Sequence, residues 1–498
     1  MIKNVNSITI VGGGTAAWFT AAYYSEIMPN VSISLVDKEH GAPVGVGEGT
    51  LLFFDKFLQR CGFETKDWFN EVDAVFKAGI LFPRFGGKDN LVWHPFYLDT
   101  EYANQHGVPS SMYEAWTHHQ DTYPFNELSA RFNESLHNNV DTSNIQTYAM
   151  HIDAAKLVLW LQKQLASKIN IIKSEVTDIT RDKNNNVTTL KCINGTELTS
   201  DFYIDCTGFN QLLQNDPDRV DLSDRLFVNT AVAGHVPYID KDAECTPYVT
   251  SDAVDHGWIW SIPVQSRIGS GLVFNRDITD IDTAKDYFCK YWNNRIKPGD
   301  LKVINWAPYY NKNMWSNNVV AIGLSAGFIE PLESTGLATI TKQIYESAQV
   351  IQTGYYTKYD IALYNQIQTA IFEDTADYVS MHYAYTDYNT DFWKYVKNNY
   401  THSDRYKFYV DAVKQGKPLP RNGRGWFFGG TNWLCWIFQI ETDIKPTQHI
   451  NSNQALQIID KWISTSQNNP CITHLDAVKD FEFLLNNRLD DASDQSIF

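Results

Sequence analysis

SITIVGGGTAAWFTAAYYSEIMPNVSISLVD, residues 7–37, decides the fold. SITIV at 7–11 is a β-branched run and reads as a strand. GGGTAAW at 12–18 follows, with a helix expected over Ala16 to Ile27. VSISLV at 31–36 reads as a second strand ending in Asp37. Together they make a βαβ unit with G-x-G-x-x-A at its turn. Gly12 permits the tight turn, and Gly14 lets the backbone approach a pyrophosphate. Ala17 stands at the third glycine position and still allows close packing of helix on strand. Thr15 and Ala16 open the helix, whose free amides suit a phosphate. Asp37 lies where a ribose-binding acid belongs, about 20 residues beyond the turn. The expected class is α/β, Rossmann-like.

The chain has 498 residues, of which 43% are hydrophobic and 20% charged, so it is globular and too long for one simple core. A formal charge of −17 repels phosphate backbones, which excludes nucleic acid as a partner, and an anionic membrane surface with it. No apolar run approaches a membrane span. The N-terminus passes straight into the first strand and leaves no room for a signal peptide, so a cytoplasmic location is expected. Seven cysteines without CxxC spacing suggest neither disulfides nor a metal site.

Two later segments bear on the cofactor. DFYIDCTGF at 201–209 is a buried strand ending in Thr207-Gly208. It resembles the second flavin-contacting strand of large FAD monooxygenases. VVAIGLSAGFIEPLESTGL at 319–337 reads as strand, glycine turn at Gly323-Leu324, then helix, and resembles the segment on which those enzymes hold the flavin's ribityl chain and ring. The order favours FAD over NAD.

GWIWSIP at 257–263 carries W-x-W-x-I-P. With the GxGTAAW turn, GVGEGT at 45–50, FKAGI at 76–80, HPF at 94–96 and PLESTG at 331–336, it resembles the flavin-dependent tryptophan halogenase family. The resemblance covers about residues 7–340 and fades in the C-terminal third. It implies reduced FAD, dioxygen and a halide making hypohalous acid, which halogenates an electron-rich indole or phenol. No second strand–GxGxxG–helix unit is present for a nicotinamide, so a separate flavin reductase is the expected partner. A homodimer is a family-level expectation.

The same resemblance assigns roles. Lys77 is the catalytic lysine, holding hypohalous acid by a hydrogen bond or forming a haloamine; read by itself, it could equally be a snorkelling lysine in an apolar stretch. Glu333 is the second catalytic residue, although a first-turn helix acid is an equally ordinary reading. Ser334 orients the pair. The amides of Thr335 and Gly336 hold the halide. Gly47 and Glu48 belong to a strap across the flavin that links its occupancy to the substrate site. His94 and Phe96 are pocket walls, with a structural histidine at even odds. Trp258 and Trp260 bulk out the space beside the flavin and keep substrate from it; in part they must also be core.

A flavin module is expected over 1–350, with substrate-covering insertions near 97–145 and 210–300, and a mainly helical substrate-side module over 351–498. The aromatic stretch GWFFGGTNWLCWIF at 425–438 could line the pocket or seal the helical part onto the flavin part. The residues that grip free tryptophan's amine and carboxylate in the tryptophan-specific enzymes find no match there, which leaves a larger, smaller or less polar arene open. Two other readings stand beside the halogenase: a flavin hydroxylase, which has no reason to carry Lys77 and GWIWSIP together, and a non-catalytic flavin-binding protein.

Overall fold

The computed structural model describes residues 5–38, 45–87, 90–96, 112–123, 134–417, 427–448 and 450–486. Much of the expected insertion at 97–145 therefore lies outside the described residues, as does the start of the aromatic stretch at 425–438. Among the described residues a six-stranded sheet runs in the order Trp315–Ser316, Val319–Ala321, Phe202–Asp205, Ser7–Val11, Ser32–Asp37, Asn170–Lys173. All but the first strand are parallel, with Ile8 beside Phe202 on one side and Ile33 on the other. Strands so placed are covered on both faces, which is why SITIV and FYID read as apolar runs and not as alternating ones. The helix Thr15–Ile27 packs on this sheet and against the helices Ala154–Leu165 and Thr335–Ile351. The carboxyl ends of the central strands open into one crevice, where a doubly wound sheet binds its ligand.

A second, seven-stranded sheet orders Lys302–Asn305, Thr230–Val236, Ile268–Phe274, Gly257–Pro263, Val249–Val254, Gly79–Pro83 and Leu91–Pro95. Its neighbours are antiparallel except for Val249–Val254 on Gly79–Pro83. The 210–300 stretch, expected over the substrate, supplies most of this sheet. Through Ala231, Val249, Ser251 and Trp260 it lines the crevice of the first sheet. The alternation of strand Gly257–Pro263 turns Trp258 and Trp260 to the same face, which explains their spacing.

A three-stranded sheet joins distant parts of the chain. Ala149–Ile152 is its centre, with Glu48–Gly49 on one side and Val75–Lys77 on the other. The glycine-rich loop at 45–50 and the lysine motif thus share one neighbour.

Beyond residue 351 the described chain is mainly helical. Thr357 and Asp360 form a capping box that starts the helix Lys358–Met381. Inside that helix the buried Asp374 accepts the amides of Phe427 and Phe428 and pairs with Arg405. This anchors the chain entering the helix Gly430–Ile440, whose Trp433 and Trp436 are fully buried. The last described helical stretch divides into His474–Lys479 and Phe481–Asn486. All seven cysteines are free thiols. No helix among the described residues is long and apolar enough to cross a membrane.

Candidate active site

The crevice is a cavity of about 900 Å³, at the upper end for small-molecule sites. Gly12, Gly14, Thr15, Ala16, Asp37, Gly47, Glu48, Thr207, Gly208 and Leu324 all line it. Ala17 does not; it is fully buried in the helix–sheet contact, the role its position predicts. Gly323 is buried beneath the lining: its φ is +71°, and its amide donates to Gln343 Oε1 at 2.8 Å.

The glycines divide the work. A Cβ on Gly12 would lie 2.3 Å from the Cys206 carbonyl oxygen, so this residue serves the chain packing. A Cβ on Gly13 would lie 1.9 Å from Asp37 Oδ1, a constraint the motif reading passed over. Gly14 has nothing within 4 Å and fronts open space at the helix N-terminus, where a phosphate can come up to the backbone. Asp37 is buried and accepts from Lys173 Nζ at 2.6 Å, a partner on the outermost strand that no motif announces. Ser174 also lines this end, with its buried hydroxyl unpartnered. A long cavity with a glycine cradle, an acid and a spare hydroxyl at one end fits FAD.

The other end of the cavity is lined by Pro331, Ser334 and Gly336. Pro331–Glu333 is a 3₁₀ turn, and Ser334 takes left-handed backbone (φ 57°) before the helix Thr335–Ile351. The start of that helix brings Gly336 to the cavity wall. Gly336 has nothing within 4 Å of a Cβ position, so the backbone there is open to an ion or a ring. Thr335 is buried and is not among the lining residues.

Lys77 lies behind this wall. It is fully buried. Its Nζ donates to Ser334 Oγ at 3.0 Å and to the Thr50 carbonyl at 3.2 Å, and stands 4.5 Å from the centre of the Phe96 ring. A snorkelling lysine would have its head in water; this one does not. Burial pushes its pKa down to about 7, against an opposing pull from Glu333. Gly49 is what separates the amine from the cavity: a Cβ there would lie 2.5 Å from Lys77 Nζ and 2.8 Å from Ser334 Oγ.

Glu333 is buried between two histidines. Oε2 faces His94 Nδ1 at 2.9 Å, and Oε1 faces His382 Nε2 at 2.6 Å. Burial favours the protonated acid, but the two imidazoles outweigh it and hold the carboxyl low, at about 2. His94 and Phe96 are both buried, with rings perpendicular and 6.4 Å apart. His94 is fixed at both ends, since its Nε2 meets Asn432 Nδ2 at 3.0 Å. The helix Gly430–Ile440 thereby reaches the Lys77–Glu333 group, as do Tyr378 and Phe428, stacked 3.9 Å apart beside His94.

The two signature tryptophans part company. Trp260 lines the cavity, seated over Gly271, where a Cβ would meet its ring at 2.2 Å. Trp258 is fully buried and is not among the lining residues. Its indole N–H donates to Tyr383 Oη at 3.1 Å, and Tyr383 in turn donates to the buried Glu330 at 2.5 Å. Trp258 therefore braces the wall and does not touch the space beside it.

The glycine-rich strap is clamped from the second sheet. His235 Nε2 and Arg267 Nη2 both reach the Gly45 carbonyl, at 2.5 and 2.6 Å. Glu48, on the strap, has its pKa raised to about 7 by burial, with Asp153 adding to the effect. A Cβ on Gly269 would lie 1.4 Å from the Val46 carbonyl oxygen. Gly269→Ala is thus expected to push the strap off its seat, at a cost of about 1–3 kcal/mol. FAD affinity should fall by about tenfold or more, read by flavin fluorescence titration. Unchanged affinity and melting temperature would show that the strap is not held here.

His382, Asn432, Gly49, Lys173 and Gly13 are the site residues that sequence reasoning missed. Gly13, Gly49 and Asn432 stood inside quoted stretches; His382 and Lys173 carried no signal beyond their residue type.

The chain matches the tryptophan halogenase family model over residues 7–456. It is 30% identical over 460 residues to tryptophan 6-halogenase ThaL of Streptomyces albogriseolus, covering 86% of each chain. It is 28% identical over 425 residues to tryptophan 7-halogenase RebH of Lentzea aerocolonigenes, covering 79% of each. Its fold matches the crystal structure of a tryptophan halogenase from Shewanella frigidimarina with a TM-score of 0.86, covering 96% of this chain and 98% of that one at 22% identity.

Proposed function

The chain belongs to the flavin-dependent tryptophan halogenase family, and from that premise we propose that it halogenates an electron-rich aromatic compound, indole- or phenol-like, at Lys77 and Glu333. The observation that carries this reading is the buried Lys77 amine, one glycine away from the FAD-sized cavity. Bound reduced FAD, with dioxygen and halide, supplies hypohalous acid. The turn Gly12–Ala17 and Asp37 would hold the dinucleotide, and the amides of Thr335 and Gly336 the halide. The lysine lone pair attacks the halogen of hypohalous acid; hydroxide leaves and takes one N–H proton as water. The arene then takes the halogen from nitrogen. Glu333 receives the ring proton and returns it to the lysine nitrogen, so the amine is restored. The protein contributes position and a dry chamber. Reduced flavin comes from a separate reductase, since the sequence offers no second dinucleotide turn.

An amine titrating at about 7 gives this chemistry a pH signature. Below that value the nitrogen is protonated and has no lone pair. The rate should therefore rise through about 7 and level off above it. The opposite slope would indicate an ammonium that only donates a hydrogen bond to hypohalous acid.

The direct test is turnover with reduced FAD, dioxygen and chloride, bromide or iodide in parallel, with indole and a small phenol as substrates. A halogen mass increment on either is the expected product, and the parallel arms rank the halides. Addition of oxygen instead would identify a hydroxylase.

A further inference from the structure

The hydrogen-bond partners around Glu333 constrain where its protons sit. Gly429 N–H donates to Asn432 Oδ1 at 3.0 Å, so the amide nitrogen of Asn432 faces His94. His94 Nε2 therefore accepts, and its proton sits on Nδ1, donated to Glu333 Oε2. His94 is neutral. On the other side, His382 Nδ1 lies 3.0 Å from the Tyr378 carbonyl oxygen, which can only accept, so Nδ1 carries a proton. The remaining contact, Nε2 to Oε1 at 2.6 Å, would set lone pair against lone pair unless one proton lies in it. Glu333 and His382 together then carry no net charge, whichever atom holds that proton.

The surroundings act on that proton from both sides. His382 is packed by the rings of Trp436 and Phe82, with centroids at 4.0 and 5.0 Å. Burial drives its imidazole towards the neutral form while Glu333 pulls it back. The groups facing Lys77 are the Thr50 carbonyl, Ser334, the Phe96 ring and, through space, Glu333 and His151. His151 is kept neutral by burial and by Lys77 itself, and its Nδ1 faces the Pro263 carbonyl. Among these groups Glu333 alone can act as counter-charge to the amine, and His382 cancels that charge.

We propose that His382 is a positioning residue which, by sharing a proton with Glu333, withholds full carboxylate charge from Lys77 and so keeps the lysine amine free to take up electrophilic halogen. The proposal rests on Lys77 being the halogen-accepting group. It gives His382 a task that no motif carries, since the residue ends a helix well beyond the PLESTG segment.

The test is the pH dependence of single-turnover bromination of indole by His382→Gln and His382→Asn, each checked for FAD binding. Either amide can donate to Glu333 but cannot share a proton with it. Glu333 is then fully anionic, and the rate inflection assigned to Lys77 should move up by about one unit or more. At pH 7 that is about a fivefold loss, approaching tenfold at lower pH and recovered at higher pH. A loss of the same size at every pH, with the inflection unmoved, would overturn the proposal and leave His382 a structural residue. Lys77→Met is run beside them. Bromination that survives it would overturn the lysine assignment, and the role of His382 with it. If Lys77→Met is inactive and the inflection stays put, the His382 proposal alone fails.

Discussion

Lys77→Met is expected to abolish halogenation, lowering turnover by at least about 100-fold, without weakening FAD binding. Methionine matches the length of the lysine stem and removes an amine that is costly to bury. The fold should therefore hold or gain slightly, and a melting curve separates this outcome from collapse. Product is read by mass spectrometry and the cofactor by fluorescence titration. The two measurements should disagree: full flavin occupancy, no halogenated product. If halogenation continues, hypohalous acid is reaching the arene without the lysine, and the buried amine behind Gly49 serves some other purpose.

Gly49→Ala is the second large effect. The new methyl group would meet Lys77 Nζ at 2.5 Å and Ser334 Oγ at 2.8 Å, so one of them must leave. Both are side-chain ends and can swing away, which keeps the cost to stability small. The cost to chemistry is not small, because displacing a reacting group by about 1 Å can reduce a rate by about 100-fold. The expected result is a folded, flavin-binding protein with a rate reduced on that scale. Normal turnover in Gly49→Ala would mean that halogen does not pass this way.

The sequence announced the parts that are local. The turn at 12–17 needs only a strand, three small residues and a helix in succession, and its geometry follows. Lys77 and Glu333 were conspicuous as charged residues in apolar or glycine-rich surroundings, and the family resemblance named them. What it could not announce was partnership across the fold. His94, Glu333 and His382 come from a sheet edge, a turn and a helix end, and nothing at those three points in the chain refers to the others. Asp37 was legible as an acid at a strand end. Lys173 was not, because its strand reaches Asp37 only through sheet order. Gly49 was quoted among three glycines and not singled out, since a glycine's need for empty space shows only once its neighbours are known. The two tryptophans of GWIWSIP looked equivalent by their alternation, but one meets the cavity and the other a tyrosine.

Between cavity and lysine stand the main chain of the strap at Gly49 and, beside it, the hydroxyl of Ser334. Partitions built from side chains can be worn through one substitution at a time. At Gly49 this one cannot, because every amino acid brings the same backbone. An ancestor or an engineer wishing to let the aromatic guest meet the flavin directly would have to delete or reroute a segment, a rarer event than a point mutation. Drift should therefore reshape which guest is accepted far more readily than it removes the strap between lysine and cavity.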